Sequence, residues 1–264
     1  MINMGPSGTS GLGYEEGIRL CSKLKLDLLE VAFTHGVHMS IDAAKKVGII
    51  AEDNNVQLSI HAPYFINLVS KEKEKITASK KRILESCSRG NEFFSENMKR
   101  KIPIVFHPGY YQDLDKDDVY EGIKQEISEM IEVIEENDWN VVLAPETTGK
   151  PTQFGDIDEL LQLSKELKTA ICVDFAHLLA RNNGNVDYEE IIKRLPQNFH
   201  AHYSGINYGP KGEKNHIPID VNEFKKLINL LQKHKKDVTM ICESPEPFRD
   251  AEKMRNVLYR LRNK

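Results

Sequence analysis

Eight short apolar runs, each followed by a stretch of helical period, constrain this chain more than any other feature of it. After a brief opening run ending near Asn3 come "LDLLEVAF", "VQLSIH", "IPIVFH", "NVVLAPE", "TAICVDF", "NFHAHYS" and "VTMICES". Apolar, β-branched runs of this length bounded by turn formers read as strands. Between them apolar residues recur three and four apart: Val119, Ile123, Ile127, Met130, Ile131 and Ile134 in one segment, Phe224, Leu227, Ile228 and Leu231 in another, Met254, Val257, Leu258 and Leu261 in the last. That spacing puts them on one helix face. Strand and helix in strict alternation predict parallel strands with helical crossovers, and eight of them can close into a (β/α)8 TIM barrel. An open doubly wound sheet is the alternative. No linker divides residues 1–264, so one domain is expected.

Composition narrows the class. The net charge of −4 gives no overall basic field, so contact with nucleic acid requires a local cluster. The start "MINMGPSGTSG" has no basic and apolar leader, and no stretch is long enough to cross a bilayer, which predicts a cytoplasmic protein. Cys21, Cys87, Cys172 and Cys242 form no C-x-x-C pair and read as core thiols, which argues against a cysteine-based zinc site. The glycine-rich start lacks both a G-x-G-x-x-G and a lysine-bearing phosphate loop.

The residues at the proposed strand ends are all carboxylates or imidazoles: Glu30, His61, His107, Glu146, Asp174 with His177, His202 with His200, and Glu243. Parallel barrel strands bring these ends to the face that carries barrel active sites. Each has an ordinary structural explanation alone. Together, carboxylates crowded on a partly buried rim repel one another and lose hydration, and the neighbouring strand ends supply too few Lys or Arg to compensate. Metal ions are the simplest compensation. Imidazole and carboxylate without thiolate suit Zn²⁺, with Mn²⁺ or Fe²⁺ as alternatives. One zinc takes about four ligands and the rim offers roughly twice that, so at least two metals are expected, the arrangement used in phosphoester hydrolysis. His200 and His202 share a strand face; His202, nearer the end, is the better ligand and His200 the better supporting or core residue. His216 falls in what reads as a long loop after the seventh strand.

The motifs "IHAPYFINL", "VFHPG", "LAPETT", "VDFAHL", "AHYSG" and "CESPEP" together resemble the endonuclease IV family of zinc-dependent apurinic/apyrimidinic endonucleases, within the xylose-isomerase-like barrels. They occur in the family's order across most of the chain. The resemblance implies a trinuclear zinc site, so two or three zincs per chain are expected, and in it His61, His107 and Glu146 hold the first. Glu146 then bridges to a second held also by Asp174, His202 and Glu243, and His177 and His216 serve a third. It implies cleavage of the phosphodiester 5′ to an abasic site in double-stranded DNA during base excision repair, with Glu146 and Glu243 indispensable. The chain departs from the family in two places. Where the family has Asp-x-His, this chain has Glu213-Lys214-Asn215-His216, which leaves Glu213 to stand in for the aspartate. The loop "FTHGVHMS" lacks the family's duplex-opening arginine.

Candidate DNA contacts are Lys80, Lys81 and Arg82, in a run (71–82) with six basic against two acidic residues, and Tyr64, Tyr110 and Tyr111 beside proposed ligands. A solvated helix start and ordinary rim packing are the rival explanations. A monomer is expected. The alternative function is a metal-dependent sugar isomerase or epimerase on the same barrel.

Overall fold

The structure, a computed structural model, describes residues 1–95 and 100–262. Each apolar run becomes a strand: β1 (Ile2–Pro6), β2 (Leu28–Ala32), β3 (Gln57–His61), β4 (Ile102–Phe106), β5 (Val141–Pro145), β6 (Cys172–Asp174), β7 (Asn198–Tyr203) and, after a hairpin of β8 (Gly205–Gly209) and β9 (Gly212–Ile217), β10 (Asp237–Cys242). The eight barrel strands pair in parallel as two ladders, β1-β10-β7-β6 and β2-β3-β4-β5. Single parallel bridges, Ser7 with Glu30 and Glu146 with Cys172, join the ladders between β1 and β2 and between β5 and β6. The neighbours therefore follow the order of a TIM barrel.

The helices α1 (Tyr14–Lys23), α2 (Ile41–Asp53), α3 (Lys73–Asn91), α4 (Lys116–Glu136), α5 (Ile157–Leu167), α6 (Phe175–Arg181), α7 (Tyr188–Arg194), α8 (Val221–Lys233) and α9 (Pro247–Arg262) fill the crossovers. Their starts are encoded locally: the Asp115, Asp156 and Asp220 side chains accept from backbone N–H groups of the first turn, and Asp156 with Glu159 completes a capping box. The predicted apolar stripes are the faces that pack inward. Val119, Ile123, Ile127, Met130 and Ile134 of α4 are buried, as are Phe224, Leu227, Ile228 and Leu231 of α8. All four cysteines are free and buried. No described helix is long and apolar enough to cross a membrane.

Two expectations are corrected. The first strand runs on to Pro6 rather than stopping near Asn3. The segment carrying His216 is no open loop but the antiparallel hairpin β8–β9, with a register shift at Asn207/Tyr208. Gly212, at φ +91°, makes the reversal, and a Cβ there would lie 2.3 Å from the Gly149 carbonyl oxygen. The hairpin thus docks on the loop after β5, where Glu213 N–H donates to Gly149 O at 2.9 Å.

Candidate metal centre

Proline delivers the first candidate ligands. β3 stops at His61 before Ala62-Pro63, β4 stops one residue before His107-Pro108, and β5 ends on Pro145, immediately before Glu146. A carbonyl can only accept, so the His61 Nδ1 that lies 2.7 Å from Ala62 O carries the proton, leaving Nε2 turned to Glu146 Oε2 at 3.2 Å. His107 Nε2 approaches the same oxygen at 3.0 Å. The other oxygen, Oε1, meets His202 Nδ1 at 3.1 Å and His177 Nδ1 at 3.3 Å. Glu146 is thus buried and reached from both sides by four imidazoles.

Asp174 ends β6 and caps α6, accepting from His177 N–H through Oδ1 at 2.8 Å. Its Oδ2 is buried with no hydrogen-bond partner among the described residues, its ionic contact being His177 Nδ1 at 3.5 Å. Glu243 follows β10 and lies 3.4 Å from His202 Nδ1. In the hairpin, His216 Nδ1 meets Ser204 Oγ at 2.6 Å. Glu213 lies 3.5 Å from His177 and 3.8 Å from His216. A side chain at Gly149 would collide with Glu213, 2.6 Å from Oε2, so glycine is required for the carboxylate to enter.

Three potential ligand groups result, with donor atoms within 4.8 Å of one another: His61/His107/Glu146, Glu146/Asp174/His202/Glu243 and Asp174/His177/His216. They overlap at Glu146 and Asp174 and form one continuous row. Solvent reaches the row through the side chains of His107, Glu213, His216 and Glu243, which are 18–29 % exposed. A fourth group, Cys172/His200/His202, lies deeper. Burial pushes the Cys172 thiol well up, away from the thiolate a metal needs.

The electrostatics of the donor set suit cations. Among the described residues, none of Glu30, Glu146, Asp174, Glu213 and Glu243 pairs with Lys or Arg; every ionic partner is an imidazole. Burial alone would raise the Glu146 carboxyl, yet His107 and then His202 hold it well below the usual carboxylate range. Burial works against Glu243 too, and His202 brings it down to about 2. Burial would lower His61, but its hydrogen bond with Glu146 lifts it to about 9. Asp174 differs: burial raises it, against the pull of His177 and His216, and its unpartnered oxygen is an acceptor in need of a cation.

The proposed DNA contacts fare unequally. Tyr64 is 57 % exposed with its ring 5.8 Å from His61, and Tyr110 is 43 % exposed. Tyr111 is buried against Phe154 with its hydroxyl on Glu159 and is a core residue. Lys80 is held between α3 and α4 by Glu126 at 2.7 Å and by Glu129. Arg82 donates to Phe65 O in the loop before α3, and Lys81 is open to solvent.

Sequence reasoning missed the residues that orient the ligands. Ser204 and the Thr147 carbonyl, which accepts from His177 Nδ1 at 2.9 Å, lie inside the motifs "AHYSG" and "LAPETT" but were not singled out. Glu30 was expected on the rim but points into the barrel, fully buried. Its position inside the apolar run "LLEVA" was the available signal.

A sequence profile of the xylose isomerase-like TIM barrel family matches residues 18–261. An uncharacterised protein of Methanocaldococcus jannaschii is 37 % identical over 267 aligned residues, 95 % of this chain and 94 % of that one. The solved structure of SacUVDE superposes with a TM-score of 0.76 at 14 % identity over 100 % of both chains. A D-tagatose 3-epimerase-like protein gives 0.75 at 20 % identity over 99 % and 97 %. An AP endonuclease, family 2, from Brucella melitensis gives 0.63 at 14 % identity over 92 % and 93 %. At these identities the likeness of the three structures is one of fold.

Proposed function

We propose that this chain, which belongs to the xylose isomerase-like TIM barrel family, is a zinc-dependent endonuclease that cuts DNA on the 5′ side of abasic sites. The observation that carries the reading is the row of three ligand groups sharing Glu146 and Asp174. For a sugar epimerase, one metal and a base would suffice, and the group Glu146/Asp174/His202/Glu243 would provide them. The flanking imidazoles His61, His107, His177 and His216 extend the row beyond that need. A phosphodiester, with its attacking and leaving oxygens, is a substrate for which two or more adjacent cations have a direct use, one clamping each oxygen.

Zinc, when bound, supplies Lewis acidity that ionises water near neutral pH and offsets charge growing on the phosphoryl oxygens. His61, His107 and Glu146 would hold one ion, and Glu146, Asp174, His202 and Glu243 a second. His177 and His216 would hold a third, with Glu213 beside them. The chain's own part is positioning. Glu146 turns Oε2 to His61 and His107 and Oε1 to His202 and His177, so it would serve both the first and the second group, while the Ala62 and Thr147 carbonyls fix the faces of His61 and His177. The exposed edge formed by His107, Glu213, His216 and Glu243 is where a phosphate would enter, and the exposed Tyr64, its ring 5.8 Å from that of His61, is placed for a base to stack on.

The test sets two substrates against each other with one preparation of known metal content. Incision 5′ to a single synthetic abasic site, with ketoses left unchanged, supports the proposal; epimerisation of a ketose without incision replaces it with the sugar reading.

A further inference from the structure

Below the metal row a buried polar column runs down the barrel interior. Thr239 Oγ1 meets His200 Nδ1 at 2.8 Å, and His200 Nε2 lies 3.2 Å from Glu30 Oε2. Ser59 Oγ donates to the same oxygen at 2.8 Å. His202 Nε2 lies above, 3.4 Å from Glu30 Oε2 and 3.1 Å from Oε1, while its Nδ1 faces Glu146 and Glu243. Glu30, His200 and His202 come from β2 and β7, and each is at least nine-tenths buried.

A carboxylate in a barrel core, with no Lys or Arg on it, is costly and needs a function that an apolar residue could not serve. The ring of His202 has two nitrogens, and only the unprotonated one can bind metal. An ionised carboxylate accepts only, so a nitrogen bonded to it must carry the proton. The deeper Cys172/His200/His202 group gives His202 a competing way to turn.

We propose that Glu30 is a positioning residue for the metal row: it takes the Nε2–H of His202 and so commits Nδ1 to the group Glu146/Asp174/Glu243, with His200 and Ser59 anchoring Glu30 in turn. This rests on the reading that the row binds divalent metal, though not on the identity of the substrate. Glu30 touches neither metal nor substrate. It sets which ring nitrogen faces the site and keeps the ion out of the deeper group.

The experiment is zinc titration against a competing chelator, with ions per chain counted, for wild type and Glu30→Gln. An amide presents an N–H₂ to this ring of donors, so the variant is expected to bind one equivalent about 10–100-fold more weakly and the others as before. Folded Glu30→Gln with wild-type affinity for every equivalent overturns the proposal. Should that variant not fold, imidazole ¹⁵N resonances of zinc-loaded wild type decide: a proton on His202 Nε2 is expected, and one on Nδ1 overturns it. Wild type that binds no divalent metal overturns the metal reading as well, so the two failures are told apart.

Discussion

Four imidazoles reach one carboxylate at Glu146, so its substitution is the most informative single change. Glu146→Gln is predicted to lose bound metal and to lower incision by more than about 100-fold with an unchanged circular-dichroism spectrum, because the ligand row lies above the apolar layers of the core. Glu243→Gln should behave alike; near-wild-type incision by either is incompatible with the assignment. Protonation gives a prediction for metal-free protein. His61 is lifted to about 9 from its ordinary value near 6.5, so the stability it contributes is complete below about pH 6.5 and is lost as pH rises through about 9. His177 is lifted well up by Asp174 and then Glu146, and acts with the same sign. Chelator-treated protein should therefore melt at lower temperature as pH climbs from 6.5 to 9; a flat or rising melting temperature contradicts it. Most of these ligands were legible because each stands at the end of an apolar run. Glu30 was misplaced because a parallel barrel buries both faces of its strands, so hydropathy cannot say which way a residue points.

Among the elements, the hairpin β8–β9 was the one the sequence hid. "GINYGPKGEKNHI" shows only weak alternation around polar residues, and its register comes from docking on Gly149 rather than from its own pattern. Gly149→Ala is predicted to push Glu213 out, to cost about 1–3 kcal/mol as an overpacked site does, and to weaken zinc at the His177/His216 end before the rest. Equal weakening at all sites would show that the hairpin does not act locally. Helix α3 was legible as a helix, yet not in what its lysines do. Lys80→Ala should cost about 1 kcal/mol through its lost ion pairs with α4 and leave the salt dependence of DNA binding untouched. Neutralising Lys81 and Arg82 should lower that salt slope by about 2 if each meets a phosphate; the reverse ranking would restore Lys80 to the interface.

At the scale of the molecule, barrel order could be read from alternation because each strand and helix is short, local and individually amphipathic or buried. Convergence of the strand ends then followed from topology. What the alternation could not give is how the candidate groups connect, since the sharing of Glu146 and Asp174 between neighbouring groups exists only once the strands are placed. Binding that selects the folded state raises its stability, so each zinc at 100-fold excess over its dissociation constant should add about 2.7 kcal/mol and raise the melting temperature by about 5–10 °C. On the proposed function, the rim is one continuous centre for several metals. The most direct measurement is elemental analysis of zinc per chain, on protein loaded and then dialysed against metal-free buffer. The account predicts at least two tightly held ions, as about four ligands per zinc requires of this row; a single ion per chain, or none, contradicts it.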